Sequence, residues 1–406
     1  MATELFAQYG EKVYDDEIFK RHVKSVQLYP ISNLAGQEML SPIIPLSQPH
    51  PLLLQFDLLQ ENYSQLQARI VHCNADWRQS NLNEIEYLKG YNSIDINDFD
   101  YSINTKVLYV NYWLNLPRVK ISGNYVVQVF QNNNKNDVLF SRRFVVYENV
   151  VGINPNVRVS SSVAERRKNH QIDFDVQFSA VKTGNPNNEF KVVIRQNQRW
   201  DNAITNLKPT LVNRGNAILE YRPFDGSNNF KAGNEFRFID LRTVTFRGRY
   251  ISKIDPAANP TRAEVSLAEG NDGKFYSQIN DMNGNYFIQT VEAGAGYLES
   301  DYLNVKFQLK SAPITDPVYL VGAFNFWKKD DRSMMQYDTR NGVYFRNILM
   351  KQGMYDYQYW VDGHDPMFFE ASFYQAGNTY EIIVYHKSFT DLADRVVGYR
   401  LFQGRL

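Results

Sequence analysis

The sequence contains a single cysteine, Cys73, so a disulfide within the chain is excluded, as are metal centres built from several thiolates. It carries no net charge, with 44 Lys and Arg against 44 Asp and Glu. Nucleic-acid binders usually show a basic excess, and the nearest approach here, AERRKNH at 164–170, reads as a solvated loop. No stretch approaches the roughly 18 apolar residues of a spanning helix, so direct membrane insertion is not expected. The first residues, MATELFAQYGEKVYDDEIF, lack the basic start, apolar stretch and small-residue cleavage site of an export signal. They read as a start Met on a trimmed mature chain. Helical periodicity is scarce, and only LNEIEYL, Leu82 to Leu88, suggests a short turn or helix. The GxSxG, HExxH, P-loop and GxGxxG motifs are all missing, which leaves an enzyme without sequence support.

What is present is aromatic and strand-like. There are 27 Tyr and 26 Phe among 406 residues, and aromatic side chains favour pleated, half-buried surfaces. In IDFDVQF, Ile172, Phe174, Val176 and Phe178 alternate with Asp173, Asp175 and Gln177, the pattern of a strand buried on one face. NVKFQLK repeats it with Val305, Phe307 and Leu309. NYVVQVF and VLFSRRFVVYE flank the polar QNNNKND and predict a hairpin that closes a first unit near Glu148. VGINPN predicts a turn opening a second unit, and the Gly-rich EAGAG, Glu292 to Gly296, ends it. The length allows two to four domains. The expectation is an all-β chain of three tandem immunoglobulin-like β-sandwich domains at 1–150, 151–297 and 298–406. The long interval from Asn74 to Ser102 is an elaborated loop, where a binding surface is most expected.

Several residue groups were weighed as chemistry. Asp281-Met282-Asn283-Gly284-Asn285 resembles the start of a calcium loop, but its Gly stands fourth where such a loop needs it sixth, and the twelfth position is Glu292. A hairpin turn between KFYSQI and YFIQT is the expectation instead. His72 and Cys73 lie near Asp76 in VHCNADW, but immediate neighbours in a strand point to opposite faces. His364 sits in an Asp/Gly/Pro loop without a nucleophile motif nearby. Asp95, Asp98 and Asp100 are an acidic loop unless two of them face one sugar at a fixed separation. No catalytic, cofactor-binding or metal-ligating residue is assigned, and no cofactor is expected.

VYLVGAFNFW, followed by NGVYFRNILMKQGMYDYQYWVDG, gives strand, aromatic turn, strand, turn and a strand with Tyr355, Tyr357 and Tyr359 on one face. This order resembles the early-set immunoglobulin-like module found as glycogen-binding domains and beside amylase-type enzymes. Trp327 and Trp360 would then be either a stacking platform for a sugar or the module's own packed corner, the latter being favoured. Over most of the chain, VHCNADW, DYSINTKVLYVNYWLNLP, GNEFRFIDLR, DMNGNYFI, ESDYLNVKFQL and VYLVGAFNFW occur in this order. The ordered set resembles the type IX secretion system plug protein family of Bacteroidota. The resemblance implies a noncatalytic periplasmic protein at the inner face of the outer membrane. Its partner there is the system's outer-membrane β-barrel translocon, whose periplasmic opening it seals when idle. It names no interface residue and implies no nucleic acid. A periplasmic glycan-binding accessory protein using the C-terminal module is the alternative.

Overall fold

In the computed structural model, residues 12–32, 34–48, 51–292, 294 and 296–406 are described. The start of the chain that was read for an export signal, and parts of EAGAG, lie outside them. The chain is nearly all β, its strands arranged in several mostly antiparallel sheets rather than a closed barrel.

The first two sheets face each other. One runs Glu17–Ile18, Val138–Tyr147, Gly123–Gln131, Leu66–Cys73 and Ile94–Ile96, with Ile43–Pro45 added parallel to Val138–Tyr147. The other runs Val23–Pro30, Leu52–Leu58, Val110–Asn115 and Asp98–Tyr101. Between them Leu54, Phe56, Ile70, Tyr112 and Val127 are fully buried, with Phe56 stacked on Tyr112 at 5.4 Å. The hairpin predicted around QNNNKND is present, with Val138 opposite Phe130. The short helix predicted in LNEIEYL is Glu84–Tyr87, held by a capping box between Asn83 and Glu86.

The next sandwich is assembled from both ends of the remaining chain. Gly152–Val159, Asn169–Gln177, Ile218–Tyr221 and Leu211–Asn213 form one sheet, with Ile172, Phe174 and Val176 buried as their alternation predicts. Its partner sheet is Phe190–Gln196, Asn378–His386 and Arg395–Gly404. VGINPN is therefore not a turn. Most of it lies in Gly152–Val159, an edge strand, where a proline's missing N–H costs no ladder bond.

The third sandwich interrupts the second. Its sheets are Arg237–Asp240, Gly353–Val361 and Tyr286–Ile288 with Val318–Val321, and Ile251–Asp255, Arg262–Val265, Tyr302–Lys310, Val343–Lys351 and Gln336–Asp338. Val305, Phe307 and Leu309 are fully buried in its core with Tyr355, Tyr357 and Tyr359. The expected divide at 297/298 thus runs through one sandwich, and the last two strands of the expected 298–406 unit join the sheet of Phe190–Gln196 instead, Asn378–His386 pairing with it directly. The reason is visible in YEIIVYH. Tyr380, Ile382 and Val384 enter the second sandwich's core, while Ile383 and Tyr385 pack outward against the first sandwich. A strand buried on both faces reads as a continuous apolar run and carries no sign of which sheet it joins.

KFYSQI also departs from expectation. It contains no strand, and Phe275 within it is 96% exposed. The turn after it exists: Asn283 and Gly284 have φ of 52° and 83°. A β-carbon on Gly284 would lie 2.7 Å from the Trp327 ring, so this position requires glycine for both conformation and space.

Candidate functional site at the domain junctions

The unusual chemistry of this chain lies where the sandwiches meet. Asp57 stands in LLLQFDL on the first sandwich, and Lys351 ends a strand of the third. Their side chains are both fully buried and meet at 2.7 Å. The same Asp57 carboxylate accepts hydrogen bonds from Tyr302 Oη at 2.6 Å and Asn111 Nδ2 at 2.7 Å. Lys351 Nζ also lies 4.0 Å from the centroid of the Tyr109 ring. Burial lowers the pKa of Lys351, and Asp57 opposes that shift by favouring the ammonium. Around this centre Tyr109 Oη donates to the Ser300 carbonyl at 3.0 Å, and Ile103 N to the Leu298 carbonyl at 2.8 Å.

A second buried pair sits between the first two sandwiches. Arg195 and Glu381, opposite each other on adjacent strands, meet at 2.6 Å and are 1% and 0% exposed. Arg195 also donates to Ser41 Oγ of the first sandwich at 2.8 Å, and Tyr399 Oη donates to the other oxygen of Glu381 at 2.7 Å. Apolar packing surrounds it: Val71, Cys73, Trp77 and Val126 of the first sandwich meet Val193, Ile383, Tyr385 and Val396 of the second. The third junction is made by Arg199, whose guanidinium covers the Trp327 ring at 3.8 Å. Removing one member of a buried pair leaves a charge without water or partner, so each junction resists opening. The three sandwiches are joined by polar locks with apolar surrounds.

The residues singled out in the sequence do not come together. Cys73 faces the junction, while His72 lies against Tyr87 and Tyr125 with Nδ1 2.9 Å from Ser80 Oγ. Burial pushes the Cys73 thiol up to about 12 and the His72 imidazole down to about 4. A thiolate–imidazolium pair is therefore disfavoured twice over. Asp76 pairs with Arg78 at 2.8 Å, and His364 Nε2 with Asp316 at 3.0 Å. Asp95 lies on a strand of one sheet and Asp98 and Asp100 on the other. Among the described residues no His, Cys, Asp and Glu cluster suited to a metal is present.

VGAFNFW is a packed corner. A short 3-10 turn, Ala323–Asn325, is closed by the Asn325 side chain, which accepts from Gly322 N at 3.0 Å and donates to the Leu320 carbonyl at 3.0 Å. Phe326 and Trp327 then adopt left-handed φ of 55° and 60°, a strain of order 1–2 kcal/mol per residue. Trp327 is 7% exposed between Arg199 and Phe236, so its face is not open to a sugar. Lys329 lies over Trp360 at 3.8 Å. Trp327→Ala is expected to cost about 3 kcal/mol in thermal or urea unfolding, the low end for a buried Trp because Arg199 can relax into the space. Calorimetry of the intact protein against soluble glucans is expected to stay flat.

The Asp281–Asn285 turn is an acidic site of another kind. Asp356 accepts hydrogen bonds from Met282 N at 2.7 Å and Gly284 N at 3.0 Å. Burial, then Asp281, pushes its carboxyl up to about 8. A carboxyl raised on folding contributes stability below its unfolded value that is lost as pH rises through the folded value. Asp356→Asn is therefore expected to stabilise the protein relative to the parent above pH about 8 and to lose that advantage near pH 4, measured by urea unfolding across pH.

The four lock residues were missed by sequence reading. Each is a charge in a strand rich in apolar residues, LLLQFDL, FKVVIRQ, YEIIVYH and FRNILMK, although the second and fourth also carry Lys191 and Arg346. That anomaly is the only signal the sequence offered.

Comparison with known proteins agrees with this architecture. Residues 23–148, which hold all of the first sandwich but its strand Glu17–Ile18, match the family model described as type 9 secretion system plug protein 1st domain. No curated protein matches. The crystal structure of a hypothetical protein from Parabacteroides merdae superposes with a TM-score of 0.91 at 29% identity, covering 97% of this chain and 100% of that one. The N-terminal sandwich is thus similar to the first domain of type 9 secretion system plug proteins.

Proposed function

We propose that this protein is a noncatalytic stopper. In this reading it sits in the periplasm at the inner face of the outer membrane and seals the idle opening of the secretion system's β-barrel translocon. The observation that carries the proposal is the match of the first sandwich to the plug protein's first domain. The polar locks at all three junctions support it physically, since a stopper whose joints opened would leak. No helix among the described residues is long and apolar enough to cross a membrane, so attachment through a partner suits the chain.

The seat is assigned to the elaborated loop of the first sandwich, where Ile85 is 75% and Tyr91 96% exposed although both are apolar. A specific seat buries at least about 1,200 Å² in total. Pull-down of the tagged protein from a producing cell in mild detergent is expected to recover the barrel, and Ile85→Asp with Tyr91→Ser to lose it without change in melting temperature. Recovery of no barrel by the parent protein contradicts the proposal.

A further inference from the structure

A cleft of about 360 Å³ opens between the first and third sandwiches, near the Asp57–Lys351 lock. That volume lies at the lower end of small-ligand pockets, which span about 300–1,000 Å³. Its walls carry seven cations, Lys20, Arg21, Lys24, Lys328, Arg332, Arg346 and Lys351, but only two acids, Asp330 and Asp331.

Four of the cations are already paired: Lys20 with Asp137, Lys328 with Asp15, Arg332 with Asp330 and Lys351 with Asp57. Arg21, Lys24 and Arg346 make no ion pair among the described residues, and Asp331 alone remains to oppose them. Arg346 gives one N–H to the Met334 carbonyl at 3.1 Å, while its Nε is buried without a hydrogen-bond partner. Lys24 is half-buried. Burial, then Arg332, lowers its pKa, and the neighbouring Asp57 is occupied elsewhere.

The backbone is also distorted at this wall. Val23–Pro30 bulges between Lys24 and Gln27, and Ser25 holds a left-handed φ of 50° with its Oγ 2.7 Å from Tyr302 Oη. Bulges re-aim side chains beside binding sites, and strain at a non-glycine residue persists where surrounding structure holds it for use. Tyr286, Tyr355, Phe324, Phe326 and Ile348 give the lining an apolar part, beside the polar Ser25, Tyr302, Asn325 and Asn347.

We propose that this cleft binds an amphiphilic anion, with its carboxylate or phosphate head at Arg21, Lys24 and Arg346 and its aliphatic or aromatic body against the tyrosine and phenylalanine wall. A head that meets the Arg346 N–H and neutralises the unpaired cations forms charge-assisted hydrogen bonds there. This inference does not depend on the translocon reading.

The test is titration of the full protein with anilinonaphthalene sulfonate, an aromatic anion whose fluorescence rises in apolar sites. Saturable binding is expected, weakened at least about tenfold by the combined Arg21→Gln and Lys24→Gln, a loss equivalent to one charge-assisted hydrogen bond. Lys274→Gln, remote from the cleft, serves as the control and is expected to bind as the parent does. Unchanged melting temperatures separate lost binding from lost folding. Competition by decanoate identifies a soluble amphiphile, and competition only by phosphatidylglycerol vesicles identifies a lipid headgroup; both support the proposal. Equal competition by inorganic phosphate, or dye binding that is indifferent to the double substitution, overturns it.

Discussion

Asp57→Ala is expected to lower the unfolding free energy by about 3–5 kcal/mol, because it leaves the fully buried Lys351 side chain without its carboxylate. Tyr302 and Asn111 lose their acceptor in the same step. The loss is expected in urea unfolding at neutral pH. Asp57→Asn combined with Lys351→Met is expected to recover most of it, since removing both charges ends the desolvation penalty while the amide can still meet Tyr302. A double substitution as damaged as Asp57→Ala would show that the loss came from packing rather than from a stranded ammonium.

Glu381→Ala is the second large effect, again about 3–5 kcal/mol, and it acts at a different joint. Arg195 would be left as a buried guanidinium without its carboxylate partner. It would retain Ser41 Oγ at 2.8 Å and the Trp200 face at 4.1 Å, so the loss should be smaller than that of an ion with no partner. Glu381→Gln keeps an acceptor oxygen for Arg195, while its NH2 can donate to the Tyr399 hydroxyl, and is expected to cost well under half as much. The comparison of the two variants by thermal unfolding separates charge from hydrogen bonding. Equal losses would mean that the carboxylate's charge, not its acceptor oxygens, holds the joint.

Local pattern was enough to find individual strands. The alternation of Ile172, Phe174 and Val176, and of Val305, Phe307 and Leu309, predicted which side chains are buried, and the structure buries them. Pairing between distant segments was beyond it. Asn378–His386 joins Phe190–Gln196 across nearly half the chain, and no local pattern encodes that partnership. VGINPN was misread because proline and glycine signal turns, yet an edge strand also tolerates proline. KFYSQI was read as a strand from its alternation, but no neighbouring strand pairs with it. The locks were illegible for a related reason. A lone acid in a strand reads as a solvent-facing residue, and only the juxtaposition of two sandwiches turns Asp57 and Lys351 into a pair. Trp327 was legible as a choice between two roles, and Arg199, 128 positions away in sequence, decides for packing.

The central claim is that a stiff assembly of three sandwiches closes a pore by fit. Its most direct test is the ionic conductance of the purified translocon barrel in a planar bilayer, recorded before and after this protein is added to the periplasmic side. The account predicts a stable fall to near the bare-bilayer level, reversed when the protein is washed out. An open-channel current that persists at saturating protein would contradict it.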